Sequence, residues 1–296
     1  MNFLILALIT SVGNFSGIWQ TTYGDMFLEQ MGDHVLGWYS YGGMSAIEGD
    51  VTGNKLVFRY DEGSVSGEGW FQLSESGNSF AGEWRADGDR RWSEWEGHRS
   101  TEEEGIWLVI LEEYWQESMT ENEYSFGEML AEWLGRLENL EIRHRFIHDA
   151  GDLTTACAEA ASLPGDVYLV IASHGTEAGI SLNDGTVSPS EFAESVALIP
   201  GLKLVHFSCC LIMNGSTDEE IIRAIRYPNP DFAVSGYTTS VDWGGSAIIE
   251  FYYLNQILEN GLSPEEAAEA LLNDIQFAGR SGTPYMDGAG FQIRTP

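Results

Sequence analysis

Lysine is nearly missing from this chain: Lys55 and Lys203 are the only two in 296 residues. Lysine and arginine together number 14 against 46 aspartates and glutamates, a net charge of -32. A surface this negative repels phosphate, which argues against DNA, RNA and anionic lipid as partners. It favours cationic partners, and it equally suits a high-salt medium in which screening relieves the self-repulsion. Cysteine is scarce too. Cys157, Cys209 and Cys210 do not make a disulfide framework, and their spacing is not that of zinc ligands. Adjacent cysteines bridge each other only with strain, so at least one thiol is expected to be free. The residues point to no metal and no cofactor.

Apolar runs of membrane interest are confined to the first residues. Met1-Asn-Phe-Leu-Ile-Leu-Ala-Leu-Ile-Thr10-Ser-Val-Gly13 has the length of a signal-peptide apolar core, with Ser11 and Gly13 at the small-residue spacing of a cleavage site. It is too short to anchor in a bilayer. No Lys or Arg precedes it. Two readings stand: a signal peptide at 1–13 for export to the periplasm or exterior, with no membrane insertion after its removal, or the first strand of the next domain in a cytoplasmic protein.

What is present is enough to build cores, since 43% of the residues are hydrophobic and 12% aromatic. A shift in composition near residue 100 divides the chain into a β domain at 14–100, an acidic linker at 101–105 and a second domain at 106–296. In the first, Met26–Gln30 and His34–Tyr39 flank Met31-Gly-Asp33. Ala46–Val51 and Lys55–Arg59 flank Thr52-Gly-Asn54, and Gly69–Leu73 and Ser79–Trp84 flank Glu75-Ser-Gly-Asn78. Alternating apolar residues around Gly-Asn or Gly-Asp predict hairpins, because the turn needs a positive φ that these residues tolerate. Three in series predict a small all-β meander or barrel. Trp19, Trp84, Trp92 and Trp95 either line a ligand site in its mouth or close a small core. His34 and His98 are isolated, and the domain reads as an accessory or regulatory module.

In the second domain short apolar runs alternate with helical spacing, the pattern of an α/β fold with a mostly parallel sheet and helices on both faces. The predicted strands are Ile106–Leu111, an edge strand at Leu140–Phe146, Val167–Ala172, Leu202–Phe207 and Phe232–Ser235. The predicted helices are Phe126–Leu137, one capped by Asp152 and running to Ala161, Ser190–Leu198, Asp218–Ile225, Ala247–Glu259, and one opened by the capping box Ser263-Pro-Glu-Glu266. Two strands run directly into reactive residues: Val167–Ala172 into Ser173-His174-Gly175, and Leu202–Phe207 into Ser208-Cys209-Cys210. Ligand sites in such sheets lie beyond the carboxyl ends of the strands, so His174 and a cysteine are expected to share one crevice. Cys209 stays in the period of Val205 and Phe207, whereas Cys210 falls past the strand end, where substrate can reach it. His206, inside a buried strand, is the rival base and is expected to bond to a neighbour. His144 and His148 are given no chemistry.

These residues resemble a family. A strand ending in Ser-His-Gly followed by one ending in a small residue and cysteine is similar to the caspase-like cysteine peptidases, which include caspases, metacaspases, legumain, gingipains and CHAT-domain proteins. Ala233-Val-Ser-Gly236, Val241-Asp-Trp243 and Asn260-Gly-Leu-Ser-Pro-Glu-Glu-Ala267 are similar to bacterial members, and the likeness spans roughly 106–293. It implies a caspase-like α/β sandwich and a cysteine endopeptidase acting on protein or peptide. Cys210 is then the nucleophile, as in metacaspases with Asp-Cys-Cys, and His174 the partner that activates it or protonates the leaving amine. The N–H groups of Gly175 and Cys210 would face the oxyanion, and Ser173 would orient the imidazole. Ser235, Gly236, Tyr237 and Asp242 would form the pocket beside the scissile bond. Asp242 would select Arg or Lys there, or cap the helix that follows. The segment Glu112–Glu123 would hold calcium as in some metacaspases, or form a solvated loop. Leu211-Ile-Met-Asn214 departs from the family by delaying its glycine to Gly215. The alternatives are an inactive caspase-like scaffold and a thiol hydrolase of non-peptide substrates.

Overall fold

The computed structural model describes residues 13–41, 44–100, 105–116, 120, 124–197, 199–225, 232–275 and 289–296. The signal-peptide reading therefore lies almost wholly outside the described residues, as do most of the linker and much of Glu112–Glu123. The chain divides into two compact units, Met1–Glu102 and Glu103–Pro296.

The first unit is a closed barrel of eight antiparallel strands: β1 (Gly17–Thr21), β2 (Gly24–Met31), β3 (His34–Ser40), β4 (Met44–Thr52), β5 (Lys55–Asp61), β6 (Ser66–Leu73), β7 (Ser79–Ala86) and β8 (Ser93–Arg99). Each strand pairs with the next, and β8 returns to β1 through Trp19 opposite Arg99 and Thr21 opposite Gly97. The hairpins expected from the turns are β2–β3, β4–β5 and β6–β7. Besides their local pairs with β2 and β7, β1 and β8 pair with each other across the whole length of the domain, a contact that no local sequence signal marks.

Alternation puts one face of every strand inward, and in β5 Leu56, Phe58 and Tyr60 are buried while their neighbours are exposed. An eight-stranded barrel is just wide enough for side chains to fill. Here Trp19, Trp95, Phe58, Phe71 and Phe80 fill it. Glycines opposite the rings make the room, since a methyl group on Gly69 would lie 2.3 Å from the Phe58 ring and one on Gly97 2.4 Å from Phe80. The buried indoles keep a polar partner: Trp19 Nε1 donates to the Phe15 carbonyl at 2.9 Å and Trp95 Nε1 to Thr21 Oγ1 at 3.0 Å. Trp19 and Trp95 are thus core, Trp84 packs against that core, and the Arg85 guanidinium lies over Trp92. The His34 ring lies beside two carboxylates, Nδ1 3.1 Å from Asp50 and Nε2 3.3 Å from Glu48.

The second unit holds a six-stranded sheet in the order β10-β9-β11-β15-β16-β17. The strands are β9 (Gly105–Glu113), β10 (Leu140–Ile147), β11 (Gly165–Ala172), β15 (Leu202–Ser208), β16 (Ala233–Tyr237) and β17 (Phe291–Arg294). The first five are parallel, and β17 closes the edge antiparallel to β16. A small antiparallel sheet of β12 (His174–Thr176), β13 (Gly179–Leu182) and β14 (Gly185–Val187) follows β11 directly. The helices are α1 (Phe126–Leu134), α2 (Ala150–Ala160), α3 (Pro189–Val196), α4 (Thr217–Ala224), α5 (Trp243–Leu258) and α6 (Pro264–Asp274).

Along β15 successive residues serve opposite faces. Leu204 belongs to one core with Leu130 of α1, Tyr253 and Leu254 of α5 and Leu271 of α6. Phe207 meets Phe192 of α3 on the other side, their rings 5.3 Å apart. Covered on both faces, the central strands read as the unbroken apolar runs seen in the sequence. The capping boxes at Ser188 with Glu191 and at Ser263 with Glu266 both form, each with a proline in the first turn. The cap of α2 is Asp149 rather than Asp152. Asp149 accepts the Asp152 N–H at 2.8 Å, and the Asp152 carboxylate reaches back to the His148 N–H at 3.1 Å.

Candidate functional site

The parallel strands end level with one another. Ala172, the last residue of β11, stands opposite Glu112 of β9 on one side and Ser208 of β15 on the other. The residues just beyond these ends, His174 and Cys210, line one cleft of about 210 Å³. Trp115 after β9, Tyr124 and Phe126 at the start of α1, and Val241, Trp243 and Ser246 at the start of α5 supply the other walls, with Ser173 and Ser208.

The two adjacent cysteines are separated by burial. Cys209 is 1% exposed, its Sγ 3.3 Å from the Ile171 carbonyl and 3.3 Å from Ser173 Oγ. Burial pushes its thiol up to about 12. Cys210 is half-buried on the cleft, where its sulfur takes the Val241 N–H at 3.4 Å and lies 3.8 Å from the Val241 carbonyl. An N–H aimed at sulfur is a donor that a thiolate can accept. Immediately afterwards Leu211 sits at φ 61°, where no other described non-glycine residue has a positive φ. A left-handed leucine costs roughly 1–2 kcal/mol. Its N–H is held by the Thr239 carbonyl at 3.0 Å, so this sharp turn is fixed from β16's side of the cleft. The inserted Ile212–Asn214 forms a single 3-10 turn, and the Asn214 amide donates to Glu177 at 2.5 Å. The delayed Gly215 fits closely there, since a methyl group on it would meet the Glu177 carbonyl at 2.1 Å.

His174 is exposed, its ring 5.2 Å from Trp115 and edge-on at 80°. No hydrogen bond joins its imidazole to Cys210 among the described contacts. Its backbone N–H is held by Glu113 at 3.1 Å. Ser173 does not reach the imidazole: its hydroxyl donates to the His174 carbonyl at 3.0 Å, so it positions the main chain and not the ring. Gly175 packs on the peptide of the two cysteines, where a methyl group would lie 2.5 Å from the Cys210 carbonyl and 2.8 Å from Cys209 Cβ. Only glycine permits that approach.

The two carboxylates that end β9 are buried. Glu112 accepts Trp115 Nε1 at 2.6 Å, the Phe126 N–H at 2.7 Å, the Gly127 N–H at 3.0 Å and the Ser125 hydroxyl, and it pairs with His144 Nε2 at 2.8 Å. Burial alone would raise its pKa, but the bonds from His144, Ser125, Trp115 and Phe126 outweigh it and hold the carboxyl below its ordinary range. Glu113, with fewer donors, is raised by burial. Glu112 thereby ties the N-terminus of α1 to Trp115, the ring that packs on His174. These two residues belong to the sheet, not to a solvated loop. His144 has a structural use that its place on an edge strand did not reveal.

Ser235 and Tyr237 do not line the cleft. Both are fully buried: Ser235 Oγ meets His206 Nδ1 at 2.8 Å, and the Tyr237 hydroxyl donates to Glu250 of α5 at 3.0 Å. Alternation turns them toward α5, and with His206 and Glu250 they form a polar cluster inside the core. His206 thus has the buried neighbour expected for it. Asp242 is exposed and caps α5, accepting the Gly245 N–H at 3.0 Å. The glutamates, Trp115, Tyr124 and Trp243 are what the sequence reading missed. Their one linear signal is a buried apolar strand that ends in two adjacent carboxylates, a local conflict of the kind that marks functional sites. No protein-family model matches this sequence, and no curated protein matches it either.

Proposed function

We propose that the chain is a cysteine peptidase of the caspase-like type, with the barrel unit as an accessory or regulatory module. The observation that carries this reading is the sorting of the two thiols: Cys209 is withdrawn into the core, while Cys210 meets the same cleft as an exposed His174. The mostly parallel sheet with helices on both faces, which the caspase-like resemblance implies, supports it further.

In this mechanism the deprotonated Cys210 sulfur attacks the scissile carbonyl carbon, forming a C–S bond and placing negative charge on the carbonyl oxygen. The N–H groups of Gly175 and Cys210 face that oxygen. His174 gives its proton to the leaving amine as the C–N bond breaks, and then draws a proton from the water that hydrolyses the thioester. Catalytic hydrogen bonds are often long without substrate and tighten around it, so the missing His174 to Cys210 bond is compatible with this chemistry.

The same gap favours a second reading, an inactive scaffold of the same fold, because the thiol is already engaged by Val241. Fluorogenic peptides separate the two. Cleavage that is lost in Cys210→Ala and kept in Cys209→Ala supports the peptidase. Absence of cleavage, together with a Cys210 that reacts with peptide electrophiles no faster than an unfolded thiol, supports the scaffold.

A further inference from the structure

We infer that the side chain accepted beside the scissile bond is a large apolar or aromatic one, not a charged one; this rests on the peptidase reading. At about 210 Å³ the cleft falls below the roughly 300–1,000 Å³ of sites for whole small molecules, which suits one side chain and its peptide link. Rings from Trp115, Tyr124, Phe126 and Trp243 supply much of its wall, with Val241 against the Cys210 sulfur and the small side chains Ser173, Ser208 and Ser246 between them. Tyr124 and Trp243 meet edge to face at 5.5 Å and stay 49% and 41% exposed, an aromatic pair left open to solvent at the rim. Trp115 turns its one polar atom away to Glu112, leaving carbon toward the cleft.

Among the described residues no Asp, Glu, Lys or Arg side chain forms the wall of the cleft. The nearby carboxylates are committed: Glu112 to α1 and Trp115, Glu113 to the His174 N–H, and Asp242 to the cap of α5. A guanidinium or carboxylate entering here would lose hydration and find no counter-ion among the described lining residues, whereas a ring or a leucine gains apolar and ring-edge contact.

The test uses the full chain and peptidyl acyloxymethyl ketones that differ only in the residue next to the reactive carbon: Phe, Leu, Arg, Lys or Asp. Labelling of Cys210 is followed by mass spectrometry. The expected result is that the Phe and Leu reagents label at least about tenfold faster than the charged ones, and that Trp243→Ala reduces the Phe-to-Arg rate ratio about tenfold. Faster labelling by the Arg, Lys or Asp reagent overturns the inference while leaving the peptidase reading intact. An unchanged ratio in Trp243→Ala also overturns it, because the ring would then not be the wall that selects. Labelling by no peptidyl reagent overturns both.

Discussion

Three thiols share the chain, and burial separates their reactivity. Cys157 and Cys209 are both pushed up to about 12 by desolvation, so at neutral pH neither holds a useful fraction of thiolate. Limited labelling of the folded protein with iodoacetamide is expected to modify Cys210 first, with the other two following only on unfolding; peptide mapping reads this directly. Glu112 is the residue on which the geometry of His174 depends at one remove. Removing its carboxylate in Glu112→Ala leaves His144 and several N–H groups without their acceptor, at a cost of about 3–5 kcal/mol. Because its folded pKa lies below the unfolded one, its contribution is fully present above the usual carboxylate range and is lost as pH falls through the folded value. Denaturant midpoints of wild type and variant are therefore expected to converge as pH is lowered from neutrality into the acid range.

At the scale of elements, the cleft exists because three neighbouring strands stop in register and their following segments are each fixed differently. Beyond β11, Gly175 lets the β12 hairpin lie on the cysteine loop. Gly175→Ala is expected to push the Cys210 carbonyl by several tenths of an ångström or more, and under the proposed peptidase mechanism a displacement approaching 1 Å at a reacting group would cost about 100-fold in rate. Circular dichroism unchanged beside a lost kcat would show that the loop moved and not the fold. The sheet's strands and most helices were legible in the sequence, because fully covered strands and capping boxes are local signals. The pocket residues were not. Ser235 and Tyr237 lie on β16, beside the cysteine strand, but the pleat turns them toward α5, and linear distance from Cys210 cannot report which face a residue serves.

For the whole molecule, the net charge of -32 sets a self-repulsion that no single contact relieves. Raising NaCl from about 0.1 M to about 1 M shortens the screening length from ~10 Å to ~3 Å. The melting temperature is expected to rise with it, by roughly 2–4 °C for each kcal/mol recovered, and calorimetry measures this. A flat or falling Tm would indicate that repulsion among the acidic groups is not what limits stability. By itself the sequence determined the hairpin meander, the alternation of strands and helices, and the nomination of His174 and Cys210, because each is written in turn residues, apolar period or strand-end position within a few residues. Closure of the barrel by β1 and β8, the burial of Cys209 against the exposure of Cys210, and the aromatic walls supplied by β9, α1 and α5 were decided only by the tertiary structure. Those depend on residues far apart in the chain, brought to one place by packing that has no local signature.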